Sequence, residues 1–265
     1  DAICEVVRCF EDANVVHVDG NINPIRDIET INLELIFADI ETVNKRLEKA
    51  KKNLKADKKY QEEIDLLEKI LKCLEEGKSA RTLDFNEDEQ AMVKEMFLLT
   101  TKPILYIANV SEKQLENIEN DENVNKVKEY AKNEKAEVVP LCVKMEEELS
   151  GLEEQDKKEM LEMYGLEESG LDKVIKKSYD LLGLMSFLTT GEPEVRAWTI
   201  KKGTKAPEAA GKIHSDIERG FIKAEVVSYE DLMSAGSMVS AREKGLVRSE
   251  GKDYIMKDGD IVLFK

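Results

Sequence analysis

Apolar positions along this chain switch period several times, and each switch marks a change of element. The opening run Asp1-Ala-Ile-Cys-Glu-Val-Val-Arg-Cys-Phe10 is short, largely apolar and strand-like. From Leu33 the apolar residues are Leu33, Ile36, Ile40, Val43, Leu47, Ala50 and Leu54. Steps alternating between three and four form the heptad seam of a coiled coil. The pattern restarts at Tyr60, Ile64, Leu67, Leu71 and Leu74, and Gly77 supplies a stop. Two helices of about 22 residues each, folded into an antiparallel hairpin some 30 Å long, follow from a rise of about 1.5 Å per residue. Asn86-Glu-Asp-Glu89 has the spacing of a capping box and opens a third helix toward Leu99.

The chain then returns to strands. Pro103-Ile-Leu-Tyr-Ile-Ala108 is a continuous apolar run, the pattern of a strand buried on both faces of a parallel sheet. Ala136-Glu-Val-Val-Pro-Leu-Cys142 predicts the next strand. Two acidic helical stretches, near Glu146–Tyr164 and Leu171–Leu182, are expected to cover the sheet. Alternation in Glu194-Val-Arg-Ala-Trp-Thr-Ile200 predicts a strand before a turn at Gly203. Pro207 opens a helix at its first turn, Gly220 closes that region, and Lys257–Phe264 gives a turn and a terminal strand. His214 is expected in that last helix, packing and making a local hydrogen bond.

Charge narrows the range of partners. Of 265 residues 36% are charged and the net charge is −16, which argues against general DNA or RNA binding. The exception is local: Lys45, Arg46, Lys49, Lys51, Lys52, Lys55, Lys58 and Lys59 crowd the hairpin tip. Such a run is either a solvated face or an RNA-contacting tip. Cys4, Cys9, Cys73 and Cys142 have neither disulfide-framework nor zinc spacing, so free thiols are expected, with Cys4 and Cys9 buried in the first strand. No run approaches the ~20 apolar residues of a membrane span and no signal-peptide pattern is present, so a cytoplasmic protein is expected.

The chemistry concentrates after the second strand, in Asn109-Val110-Ser111-Glu112. Ligands of parallel sheets bind at the carboxyl ends of strands. There an amide and a carboxylate three residues apart can grip the hydrogen-bonding edge of a purine, or serve as a strand-end cap and a helix-start carboxylate. GTPases carry Asn-Lys-x-Asp at this place, the Asp accepting from two guanine nitrogens. Here Val110 replaces the Lys and Glu112 the Asp, which suggests a reader not tuned to guanine. A phosphate loop G-x-x-x-x-G-K-[ST] is absent from these residues. Gly77-Lys78-Ser79 has Lys72 in place of the first Gly and follows a helical pattern, and Gly211-Lys212-Ile213 and Gly251-Lys252-Asp253 lack the hydroxyl that would hold Mg²⁺.

Taken with Glu11–Gly20, Pro24–Leu35, Gly191-Glu-Pro-Glu-Val-Arg-Ala-Trp-Thr-Ile200, Ala206–Asp216 with its Ile213-His-Ser-Asp216, and Gly220-Phe-Ile-Lys-Ala-Glu-Val226, the chain resembles the Obg-like ATPases of the YchF type from end to end. The resemblance implies an α/β fold. Part of a P-loop NTPase (G-domain) sheet, residues 1–31 and 99–181, would be interrupted by an antiparallel helical coiled-coil insertion over 32–98. A C-terminal ubiquitin-like β-grasp TGS domain would occupy 182–265. It also implies that the chain starts roughly a hundred residues into the family pattern, so that the phosphate loop, the switches and the Mg²⁺ ligands lie in a missing segment and these 265 residues alone are inactive.

The implied cofactors are ATP, preferred over GTP, and Mg²⁺. Asn109, Val110, Glu112 and the backbone of Cys142-Val143, which replaces a Ser-Ala pair of the family, would hold the base; no metal ligand is expected in this chain. His17, the only imidazole in the nucleotide-binding half, either positions the attacking water or is a surface loop histidine. The implied activity is ATP hydrolysis by a monomer that binds ribosomes, through the Lys45–Lys59 tip and the TGS domain, and regulates translation or a stress response. The alternative is a non-catalytic ribosome- or RNA-docking module.

Overall fold

The computed structural model describes residues 1–12, 21–54, 57–191 and 194–265. Two compact units divide the chain, Asp1–Ser178 and Tyr179–Lys265. The first is built on a parallel sheet in the order β1 (Ile3–Arg8), β2 (Ile104–Asn109), β3 (Glu137–Leu141). Register places Arg8 beside Asn109 and Asn109 beside Leu141, so the three carboxyl ends finish level. Between β1 and β2 the chain makes α1 (Pro24–Asn53), α2 (Tyr60–Glu75) and α3 (Glu87–Met96). After β2 come α4 (Glu112–Leu115) and α5 (Glu122–Asn133); after β3 come α6 (Val143–Ser150), α7 (Glu154–Met163) and α8 (Gly170–Leu181). The two acidic stretches expected from sequence are thus three helices.

The helical hairpin differs in proportion from the expected equal pair. α1 is one helix of 30 residues that starts at the sheet, where Asn23 Oδ1 accepts from Arg26 N–H and Pro24 fills the first turn. Its root serves the sheet core through Ile28, and beyond Ile36 it serves a second core with α2 and α3. Leu33, expected in the seam, is 44% exposed, and the buried seam begins at Ile36. α2 has 16 residues and buries Leu66, Ile70 and Cys73 beside the expected Ile64, Leu67 and Leu74. The extra burial has a cause: the core that α2 shares with α1 also takes in Val93 and Met96 of α3. α3 opens with the full Asn86–Glu89 capping box.

A buried polar joint connects hairpin and sheet. Asp39 of α1, 2% exposed, accepts from the backbone N–H of Leu99 (2.8 Å) and Thr100 (2.7 Å) and from the Thr100 hydroxyl (2.6 Å). Arg81, between α2 and α3, donates to Glu134 of α5 at 3.1 Å, and the Tyr106 hydroxyl of β2 donates to the same carboxylate at 2.7 Å. Buried charges demand such partners.

Pleating explains β1. Val7 and Cys9 face the core, whereas Cys4 is exposed and Val6 is 60% exposed on the opposite face of this edge strand. Cys4 is therefore not the buried thiol expected from the apolar run.

The second unit is a five-stranded mixed sheet, order β5-β4-β8-β6-β7. β4 (Leu184–Thr190) and β5 (Val195–Lys201) pair antiparallel, and β4 lies parallel to the terminal strand β8 (Asp260–Phe264). α9 (Ala206–Ile213) and α10 (Ser215–Arg219) precede β6 (Ala224–Ser228); α11 (Tyr229–Ala235) and α12 (Met238–Glu243) precede β7 (Arg248–Glu250). One core contains Phe187, Ala209, Ala210 and Phe221; another contains Val227, Leu232 and Ala241. His214 sits between α9 and α10 in extended conformation rather than within a helix. Its ring, on a side chain 63% exposed, accepts from Asp216 N–H, so the local hydrogen bond is present and the packing is not.

Candidate functional site

The level strand ends of the first unit bring the sequence-selected residues together. The Val110 N–H donates to the Leu141 carbonyl at 2.9 Å, carrying β-type pairing one residue beyond β2. Asn109 Oδ1 then accepts from the Val143 N–H at 3.1 Å, so the amide ties the loop after β2 to the loop after β3. Glu112 opens α4 and its carboxylate accepts from Lys144 Nζ at 2.8 Å. Val110 and Cys142 are buried, Val143 is 43% exposed, and the Glu112 side chain is 34% exposed. Asn109, Val110, Glu112, Cys142 and Val143 thus form one cluster. His17 lies outside the described residues.

The cluster is held from behind. Ser111 and Gln114 form a capping box at the start of α4. Gln114 Nε2 donates to the Cys9 carbonyl at 3.0 Å and to Asp121 at 2.7 Å, linking the ends of β1 and β2 to the start of α5. Asp121 in turn caps α5 through the Val124 N–H at 2.9 Å. Behind β3, Glu146 accepts from the N–H groups of Gly170 (2.7 Å) and Leu171 (3.0 Å), capping α8. Gly170 is required by that approach: a Cβ there would stand 2.6 Å from Leu141 Cβ.

Three supports were not picked out from sequence. Gln114 could have been, because Ser111-x-x-Gln114 is a capping-box spacing. Glu146 caps a helix 24 residues away, for which no local signal exists. Lys144 is a surface lysine until the fold carries it to Glu112.

The electrostatics follow from these contacts. The hydrogen bond from Lys144 to Glu112, then the charges of Glu112 and Glu148, hold the Lys144 ammonium above its usual range. Burial raises the Cys9 thiol to about 12, with Asp121 and Asp27 adding to it, so this cysteine stays protonated and inert. The cluster therefore offers an amide, backbone groups and a carboxylate–ammonium pair at the end of a parallel sheet, a set suited to a flat heterocycle with several hydrogen-bonding atoms.

The chain as a whole is similar to known proteins. A curated relative from Bacillus subtilis, "Ribosome-binding ATPase YchF", is 54% identical over the whole chain, which spans 73% of that relative. A protein of the same name from Escherichia coli O157:H7 is 44% identical, with 72% of its length spanned. The chain belongs to the YchF family. The solved structure of the Schizosaccharomyces pombe YchF GTPase matches with a TM-score of 0.85 at 36% identity, covering 100% of this chain and 72% of that one. The family model for the YchF GTPase C-terminal region, described as a protein of unknown function (DUF933), matches residues 184–265. That YchF segment begins at β4 and contains all five strands of the second sheet.

The hairpin tip presents a different surface. A groove of about 580 Å³ is lined by Thr42, Lys45, Arg46, Lys49, Asn53, Tyr60 and Glu63. Arg46 is paired with Glu63, Lys45 with Glu41 and Lys51 with Glu68. Among the described residues Lys49, Lys52, Lys58 and Lys59 have no ion-pair partner, and all four are exposed; Lys55 lies outside the described residues. No group of His, Cys, Asp and Glu among the described residues is arranged to hold a metal, and no described helix is long and apolar enough to cross a membrane.

Proposed function

We propose that this chain carries the base-recognition half of an ATP-hydrolysing, ribosome-associated YchF protein that acts in the cytoplasm as a nucleotide-dependent regulator of translation or stress response. The observation that carries the reading is the cluster at the strand ends, where Asn109, Glu112 and the Cys142-Val143 backbone converge at the place where parallel sheets bind ligands. The names of the relatives, ribosome-binding ATPases, supply the activity and the partner.

ATP binds with its purine against Asn109, Val110, Glu112 and the Cys142-Val143 turn. The buried Val110 and Cys142 give this turn a fixed backbone, and Asn109 keeps its Nδ2 group for the base while Oδ1 anchors Val143. Bound nucleotide brings the phosphoanhydride whose cleavage is the reaction. These residues orient its base, and the phosphate and Mg²⁺ contacts are assigned to residues outside the cluster. Positioning of the attacking water is assigned to His17, which lies outside the described residues.

The first unit is read as a partial G-domain sheet, α1 to α3 as its coiled-coil insertion and the second unit as a TGS β-grasp domain. The parallel β4–β8 pair at the centre of a mixed sheet supports the last assignment. Ribosome docking by a monomer is assigned to the hairpin tip and this second domain. A docking module with no catalysis is the second reading, favoured by the four tip lysines that have no ion-pair partner among the described residues.

One experiment tests the base site. In the full-length protein Asn109→Ala and Glu112→Ala should each weaken ATP binding about tenfold or more, the size expected for losing one or two polar contacts to a base. Isothermal titration gives the answer, and unchanged affinity in both variants would remove the nucleotide reading.

A further inference from the structure

We propose that Lys144 selects the purine. Lys144 Nζ is 2.8 Å from Glu112 Oε1, and 3.9 Å from Glu148, with its side chain 71% exposed at the mouth of the cluster. The inference rests on the base-site reading given above and asks what edge the pair shows to a purine placed there.

Guanine presents two donors side by side on its Watson–Crick edge, the N1–H and the 2-amino group. A free carboxylate meets both, one oxygen each. Here one Glu112 oxygen is already occupied by an ammonium, and the ammonium itself is a donor with no acceptor character. Guanine would set its N1–H against another donor. Adenine has an unprotonated N1 at the same position and no 2-amino group, so it accepts from the Lys144 ammonium, which Glu112 holds in place against the base; removing Glu112 therefore also weakens ATP binding. A carboxylate–ammonium pair therefore reads the acceptor at N1, whereas the bare carboxylate of a guanine site reads the donor.

The Lys–Glu spacing across two loops gives the selection its structural basis. Asn109 Oδ1 holds Val143 N–H, which fixes the start of α6, and Lys144 is the next residue along. Glu112 is fixed at the start of α4 by the Ser111–Gln114 capping box. The pair is exposed and contributes little to folding. Its position, not its strength, matters for recognition.

The test uses the full-length protein and equilibrium titration with ATP and GTP. Lys144→Met should raise GTP affinity about tenfold relative to ATP, because it frees the Glu112 carboxylate and removes the competing donor. Lys144→Arg, which keeps a donor beside Glu112, should retain the wild-type preference. Adding Glu112→Gln to Lys144→Met should cancel the gain for GTP. If Lys144→Met alters both affinities equally or neither, with the protein folded by circular dichroism, lysine is only a surface ion-pair partner and the proposal is overturned. That result is distinct from failure of the site itself, in which Asn109→Ala and Glu112→Ala leave both nucleotides unaffected and the Lys144 proposal falls with it.

Discussion

Glu5 links this fold to pH through one side chain. It sits in the middle of β1, 9% exposed, with its Oε2 unpartnered, at the joint where Arg81, Tyr106 and Glu134 meet. Burial, helped by the Glu134 charge and opposed by Arg81, raises its pKa from 4.5 to about 7. A carboxyl raised in the folded state keeps a proton that the unfolded chain releases, so stability falls as pH rises between about 4.5 and 7 and levels off above. Glu5→Gln should remove that loss, stabilising the chain by about 1 kcal/mol or more at pH 8, discounted for screening, and by nothing at pH 4. Urea unfolding at both pH values is the check, and an equal effect at the two would mean that Glu5 does not titrate in the fold. Neither the burial nor the missing partner was legible in the run Cys4-Glu-Val6. A strand pattern assigns Glu5 to a face, and only the return of Arg81, Tyr106 and Glu134 to that face determines its environment.

At the scale of elements, α2 is under the tightest constraint. It packs on α1, and Leu67 is fully buried in the core that the two share with Val93 and Met96 of α3. Leu67→Ala should therefore cost about 2–5 kcal/mol, whereas Leu71→Ala, half-buried at the edge of that core, should cost less than half as much. Chemical denaturation of both variants ranks them, and equal losses would show that the hairpin core is loose. The heptad spacing made the hairpin legible, because burying a stripe between two helices imposes that period directly. It did not show α3 as a third wall, since α3 is recruited through a packing choice with no periodic trace in α2. Nor did it show that α1 starts at Pro24: a helix that serves two successive cores has no break at the border between them. Asn109 and Glu112 were legible for the opposite reason. The buried strand β2 changes abruptly from apolar to polar where it ends, and that change is written in adjacent residues. The lysine that completes Glu112 lies 32 residues downstream, beyond the reach of any local pattern.

The whole molecule has an electrostatic problem to solve if it docks on RNA. Its net charge of −16 repels a phosphate backbone, so affinity must come from a region where cations outnumber local acids. The hairpin tip is such a region, but its charge is smaller than the sequence suggests. Lys45, Arg46 and Lys51 are neutralised by Glu41, Glu63 and Glu68, which leaves Lys49, Lys52, Lys58 and Lys59 as the cations with no ion-pair partner among the described residues. A protein that neutralises phosphates loses affinity with a slope on log salt of about 0.7–0.9 per contact. Reversing the four lysines to Glu in the full-length protein should then abolish co-sedimentation with ribosomes at low salt and flatten the remaining salt dependence. Nucleotide affinity should stay at the wild-type value, because these lysines belong to the tip and not to the strand-end cluster. Reversal of Lys45 and Lys51 is the sharper control: if paired cations contribute little to docking, that double variant should pellet nearly as well as wild type. Were the quadruple variant to pellet as wild type does, the tip would be a solvated face and docking would rest on the C-terminal domain alone.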